Sequence, residues 1–153
     1  MHFPVKKSDI SLALNSFCDD KLNHYAKDRN FDFGRPHNNV SKLSPYINRR
    51  IISENEVIKV ALKNYKISKI EKFIQEVFWR TYWRGWLELH PYVYKEVDDD
   101  MSQGAIPNKT GIKCFDHWTE ELIETGYLHN HARMWYASIW IFTLNKSWES
   151  GAN

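Results

Sequence analysis

The run from Ser68 to His90 constrains the fold of this chain more than any other. Ser68-x-x-Glu71 is a capping box: a serine hydroxyl and a glutamate carboxylate three residues on satisfy N–H groups that a first helical turn leaves open. Pro91 ends the run, because proline has no N–H to donate and its ring clashes with the preceding turn. The apolar and aromatic faces between these signals are too wide for a surface helix. The run therefore predicts one long helix, central to the fold, with other helices covering it.

The rest of the chain supplies those helices. From Asp9 to Arg29 the residues Ile10, Leu14, Phe17, Leu22 and Tyr25 recur at helical spacing. Asn30 to Leu43 reads as a loop, with Gly34 and Pro36. Ser44 followed by Pro45 predicts an N-cap with proline at the first helical position. Ser53-x-x-Glu56 is a second capping box and opens a helix to about Tyr65. Pro91 to Asn108 reads as an irregular connector, a helix from about Ile112 to Thr125 stops at Gly126, and a last helix runs from about Asn130 to Leu144. No segment alternates apolar and polar residues between tight turns, as a hairpin would. The fold class is all-α, a helical bundle in one domain over residues 1–153, long enough for a core.

Charge and cysteine usage exclude several function classes. The net charge is only +2, so no global field draws nucleic acid. Lys59, Lys63, Lys66, Lys69 and Lys72 form a basic stripe if helical, either a solvated face or a phosphate contact. Glu96, Asp98, Asp99 and Asp100 form an acidic patch in a loop. Cys18 and Cys114 show no pairing pattern, which predicts a reduced, cytoplasmic protein. MHFPVKKSD lacks the apolar core of a signal peptide, and the apolar stretch near Met134–Leu144 is too short to span a bilayer. Cys114, His117, His129 and His131 match no metal template, so no metal is expected. With 7 Trp, 8 Tyr and 8 Phe, the aromatics either stiffen a core or line a site that stacks on planar rings.

Three constellations carry chemistry. At Val40-Ser41-Lys42-Leu43-Ser44-Pro45 a helix start offers free N–H groups, two hydroxyls and an ammonium to an anion, unless Ser44 simply caps its helix. On the long helix, Trp79, Trp83 and Trp86 fall near one face, and Arg80 is one turn from Glu76, within reach of an ion pair. That face is a packing seam or a wall where a ring stacks on a base. Asn130 stands where a helix cap is expected, and Arg133, amid Met134, Trp135 and Tyr136, needs a partner if it is buried.

Four separated segments resemble, in the same order, the flavin-binding domain of DNA photolyases and cryptochromes. Tyr25-x-x-x-Arg29-Asn30 resembles the tyrosine segment that meets the phosphate side of the flavin. Ser41-Lys42-Leu43-Ser44-Pro45 resembles the T-S-x-L-S-P loop that holds the FAD pyrophosphate. Gln75-Glu76-Val77-Phe78-Trp79-Arg80 resembles the E-x-x-W-R helix, whose Glu and Trp meet the flipped pyrimidine dimer and whose Arg lies by the flavin. Lys109-Thr110-Gly111-Ile112 with Thr125-Gly126-Tyr127-Leu128-His129-Asn130-His131-x-Arg133-Met134 resembles the family's TG…TGW-x-HN-x-x-R-M segment.

The resemblance implies FAD as cofactor, held by Tyr25, Ser41, Lys42, Leu43, Ser44, Phe73, Arg80 and Arg133. It implies contacts to damaged DNA from Glu76, Trp79, Asn130, His131 and Met134, and electron transfer through Trp148, with Glu76 and Met134 beside the reacting lesion. The activity implied is light-driven repair of pyrimidine dimers; the alternative is a non-enzymatic, cryptochrome-like blue-light photoreceptor or nucleic-acid-binding module.

The chain departs from the pattern at Val40, where the family has Thr, and at Arg49-Arg50, where a Phe-Gly-type pair is common, as in a divergent branch. No Trp lies between Pro91 and Gly111, and the D-x-D region with the inner Trp is absent. The chain thus resembles the N-terminal half of the FAD-binding domain. It is expected to bind FAD weakly alone, and to need a second chain for the C-terminal half or to self-associate. Met134, Trp135, Ile139, Trp140 and Phe142 are expected to be exposed on the last helix.

Overall fold

The computed structural model describes residues 3–94 and 109–152, which fall into two compact units, Met1–Leu89 and His90–Asn153. The structure is all-α, with no strand among the described residues. Glu96, Asp98, Asp99 and Asp100, and most of the expected connector before Asn108, lie outside those residues. No helix among them is long and apolar enough to cross a membrane.

In the first unit the expected helix over 9–29 is broken into three pieces. Helix α1 covers Lys7–Asp20, a 3-10 turn covers Leu22–His24, and α2 covers Tyr25–Asp28. Asp19 and Asp20 place negative charge at the negative end of the α1 dipole, and Asn and Asp are poor helix formers. The chain leaves helical geometry at Lys21, and the break turns Leu22 into the core. The loop that follows is tied back by Asn39, whose side-chain amide donates to the carbonyls of Asp28 and Phe31, each at 2.8 Å.

Helices α3 (Ser44–Asn48), α4 (Glu54–Asn64) and α5 (Ile67–Leu89) complete the unit. The Ser53 box forms as expected: its hydroxyl accepts from the Glu56 N–H at 3.2 Å, and its own N–H donates to Glu56 at 2.7 Å. The Ser68 box does not open α5. That helix begins at Ile67, which puts Ser68 inside it, and it kinks at Ile70. The core is a set of helical stripes: Ile10, Leu14, Phe17 and Cys18 from α1, Val57 and Ala61 from α4, and Ile70, Phe73 and Val77 from α5, closed by Leu43, Tyr46, Ile47 and Ile52. Helix α5 packs against α2, α4 and the 22–24 turn, as a central helix must. Its burial stops at Val77, however, and Phe78, Trp79, Tyr82 and Trp83 stand exposed.

In the second unit α6 covers Lys113–Thr125 and ends on Gly126, left-handed at φ 64°, where the lack of a Cβ removes the steric cost. Asp116 fixes its start, accepting from the Thr110 N–H and hydroxyl and the Gly111 N–H. Helix α7 covers Asn130–Ser138, a single π-helical turn covers Ile139–Thr143, and α8 covers Trp148–Ala152. Phe115 stacks on Tyr136 at 4.1 Å between ring centroids, and buried Trp140 donates its indole N–H to the Ser147 carbonyl at 2.9 Å. The expected apolar surface on this last helix is therefore partial: Met134, Trp135 and Phe142 are exposed, Ile139 is half-buried, and Trp140 is core.

Candidate functional site

Three of the four sequence segments meet in the first unit. The break after α1 aims Tyr25 at α5, where its ring stands edge-on to Phe73, with centroids 5.2 Å apart and planes at 87°. Arg29, one turn on, reaches the same helix and pairs with Glu76 at 2.9 Å. Lys72 approaches the same carboxylate from one turn before it, at 3.4 Å. Glu76 thus takes Arg29 and Lys72 as ion-pair partners. A cation delivered by α2 across the packed interface binds well here, because the partly buried site is less screened by water. Burial pushes the Tyr25 hydroxyl up from its usual range and the Glu76 charge adds to this, while Arg29 opposes both.

The loop carrying the anion-binding residues is fastened to the same segment through Asn39. Lys42 sits in the left-handed region at φ 54°, and its ammonium donates to the Pro36 carbonyl at 2.8 Å. Burial, with Lys21 close by, lowers its pKa. The Ser41 hydroxyl oxygen accepts from the Leu43 N–H at 3.4 Å. That bond leaves the hydroxyl proton free to donate, and the ammonium keeps two further N–H donors. Leu43 is a core residue, and it, not Ser44, occupies the capping position of α3. Ser44 is the first helical residue, and its hydroxyl has no partner among the described residues. The five-residue α3 contributes only a small dipole, so an anion here depends mainly on the side chains.

Beyond Glu76 the helix presents an aromatic ladder. Trp79 is 47% exposed and lies nearly parallel to Trp83 at 6.3 Å, while Tyr82 stands edge-on to both. Trp86 continues the ladder at 5.8 Å from Trp83, so the three tryptophans share a face as their spacing predicts. Arg80 is half-buried.

The second unit holds the fourth segment. His129 caps α7, its Nδ1 accepting from the His131 N–H at 3.3 Å, so Asn130 is the first helical residue, and it is exposed. His129 is fully buried; His131 is half-buried and lies between the rings of His129 and Trp135. Arg133 is exposed, so water solvates it, and its guanidinium lies 5.8 Å from the centre of the Tyr127 ring. The premise that it needs a buried acid does not apply. Met134 and Trp148 are exposed, and Trp148 opens α8. Among the described residues no three His, Cys, Asp or Glu side chains gather as metal ligands.

Sequence reasoning missed two features. Arg29 was quoted in a motif but given no role; its spacing of one turn from Tyr25 was the available signal. The stacked pair Trp118 and Trp135, at 5.9 Å, joins two helices, and no local pattern announces it.

Comparison with known proteins agrees with these segments. The chain is similar to proteins named deoxyribodipyrimidine photo-lyase: 25% identical to that of Neurospora crassa over 97% of this chain, 26% identical to that of Buchnera aphidicola from Acyrthosiphon pisum over 97%, and 23% identical to that of Escherichia coli over 98%. It spans 27%, 34% and 35% of the length of these relatives, about a third. No protein-family model matches the chain, and no solved structure matches it significantly.

Proposed function

We propose that this chain is a photolyase-like flavoprotein half-domain that repairs pyrimidine-dimer DNA by light-driven electron transfer, once a second chain supplies the rest of the flavin pocket. The observation that carries the proposal is the meeting of Tyr25, Arg29, Phe73 and Glu76 in one network, with the Ser41–Ser44 loop tied to it through Asn39. The similarity to photo-lyases over nearly the whole chain supports the same assignment.

The donors present suit FAD. Ser41 and Ser44 each keep a hydroxyl proton for a phosphate oxygen, and Lys42 adds charge beside them. Tyr25 and Phe73 form the adjoining wall, and Arg80 provides a cation for the flavin ring. When bound, FAD supplies the photoexcited electron, and the protein supplies position and electrostatics.

The remaining residues handle DNA. Flipping a lesion out of the duplex costs a few kcal/mol, least where pairing is already weak. Trp79 offers an open ring face for the flipped base, and Glu76, oriented by Arg29 and Lys72, accepts from base N–H groups. In the second unit the resemblance assigns DNA contacts to Asn130, His131 and Met134, a flavin contact to Arg133 and electron relay to Trp148.

The test combines this chain with a separate chain carrying the rest of a photolyase flavin domain. Blue light should then clear pyrimidine dimers from DNA, and Trp79→Ala and Glu76→Gln should each slow repair at least about tenfold. Flavin that binds and photoreduces without any repair would transfer the assignment to a cryptochrome-like photoreceptor. Absence of flavin binding in the combined protein would overturn both.

A further inference from the structure

The first unit carries a second cleft, of about 510 Å³, and none of Tyr25, Ser41, Lys42, Ser44 or Arg80 lines it. Its walls are the turn before α4, the start of α4 and the C-terminal half of α5. Two of its lining residues are locally unfavourable choices. Arg50 sits at φ 56°, in the left-handed region where glycine rests without strain. Gly85 lies inside a long helix, where alanine is the better helix former. Packing does not require that glycine, because an added Cβ would meet nothing within 4 Å. Costs without a packing reason gather where function holds a residue in place.

The charges in the cleft divide into engaged and open groups. Glu56 is held by the Ser53 N–H and hydroxyl, with Lys7 at 3.8 Å, and Glu54 accepts from the Thr81 hydroxyl at 3.5 Å. The side chains of Arg50 and Arg84 make no hydrogen bond or ion pair among the described residues, and neither does that of Glu88. Two uncommitted guanidinium forks suit an oxyanion with several oxygens. One open carboxylate suits a hydroxyl or amino donor on the same molecule. Ile51 gives an apolar wall, and the bare backbone at Gly85 admits a bulky body. The volume lies in the range of small-molecule sites.

We infer that this cleft binds a nucleotide-sized phosphomonoester, with the phosphate on Arg50 and Arg84 and a sugar hydroxyl or amine on Glu88. The site is independent of the flavin assignment. Adenosine monophosphate and inorganic phosphate are the probes, titrated into the 153-residue chain. The arginine side-chain Nε–H signals of Arg50 and Arg84 are followed by NMR. Both signals should shift, and adenosine monophosphate should bind more tightly than inorganic phosphate. Arg50→Gly should raise the melting temperature yet weaken binding at least about tenfold, as should Arg84→Gln. Gly85→Ala should also stabilise the chain and weaken adenosine monophosphate more than inorganic phosphate. A Ser41→Ala, Ser44→Ala double variant should leave both shifts intact. Absence of shifts at millimolar nucleotide, unchanged affinity in Arg50→Gly and Arg84→Gln, or loss of the shifts in the double serine variant would each overturn the assignment.

Discussion

Phe73 and Trp83 lie on the same helix and meet opposite fates. Phe73 is 3% exposed, wedged between Phe17 at 5.6 Å and Tyr25 at 5.2 Å. Trp83 is 51% exposed, and its ring neighbours are Trp79, Tyr82 and Trp86 of its own helix. Aromatic content did not decide which half was buried. Elements that pack against the helix did, and within the first unit the core formed with α2, α4 and the 22–24 turn takes in the helix only up to Val77. The covered half acts as structure, and the other half leaves its aromatic rings exposed.

The largest expected effect sharpens that contrast. Phe73→Ala should cost about 3–5 kcal/mol in urea unfolding, the transfer term plus the cavity left behind. Trp83→Ala should cost no more than about 0.5 kcal/mol in the isolated chain. Equal losses would erase the distinction between the two halves. Next is the ion pair at their boundary: Arg29→Met should cost about 1 kcal/mol, because it leaves a partly buried carboxylate to Lys72 alone. A double-mutant cycle with Glu76→Gln isolates the coupling, and zero coupling would remove Arg29 as the element that positions Glu76. Ser53→Ala should cost about 1 kcal/mol. The loss of its box should also loosen Glu54, which accepts from Thr81 on the exposed half of α5.

Alkaline pH offers a smaller probe of the buried half. Burial, with some help from Asp19, pushes the Cys18 thiol from 9.0 up to about 11, and the Tyr25 hydroxyl is raised as well. Both raised values favour the protonated forms on folding. Their contribution is fully present below pH 9 for Cys18 and is lost as the pH rises through about 11. Thermal melts across that window should show falling stability, and Cys18→Ala should flatten the fall. A flat wild-type profile would mean that this half of the helix is not sealed from water.

Some signals confined to one turn of chain were legible in the sequence, though the Ser68 box and the Ser44 cap were not among them. The Ser53 box, the Gly126 stop and the all-α class follow from local hydrogen bonding and periodicity, and the structure has all three. Partnerships across helices were not legible. Glu76 pairs with Arg29 on α2, and no spacing within α5 announces that partner. Apolar spacing carried one helix through Lys21, because it does not register the two aspartates that end α1. Asn130 had the better capping propensity, yet His129 caps, since its buried ring is placed by the fold of the second unit. The width of the apolar stripe on α5 foretold a central helix but not where its cover stops.

The most direct test of the central claim is a flavin titration of this chain combined with a chain that completes the domain. Absorbance and fluorescence quenching report binding, with wild type compared against the Ser41→Ala, Ser44→Ala double variant. Stoichiometric FAD on the wild-type assembly, weak binding to the lone chain, and an affinity lowered at least about tenfold in the double variant are the predicted result. An unchanged affinity in the double variant, or stoichiometric FAD on the lone chain, would contradict it.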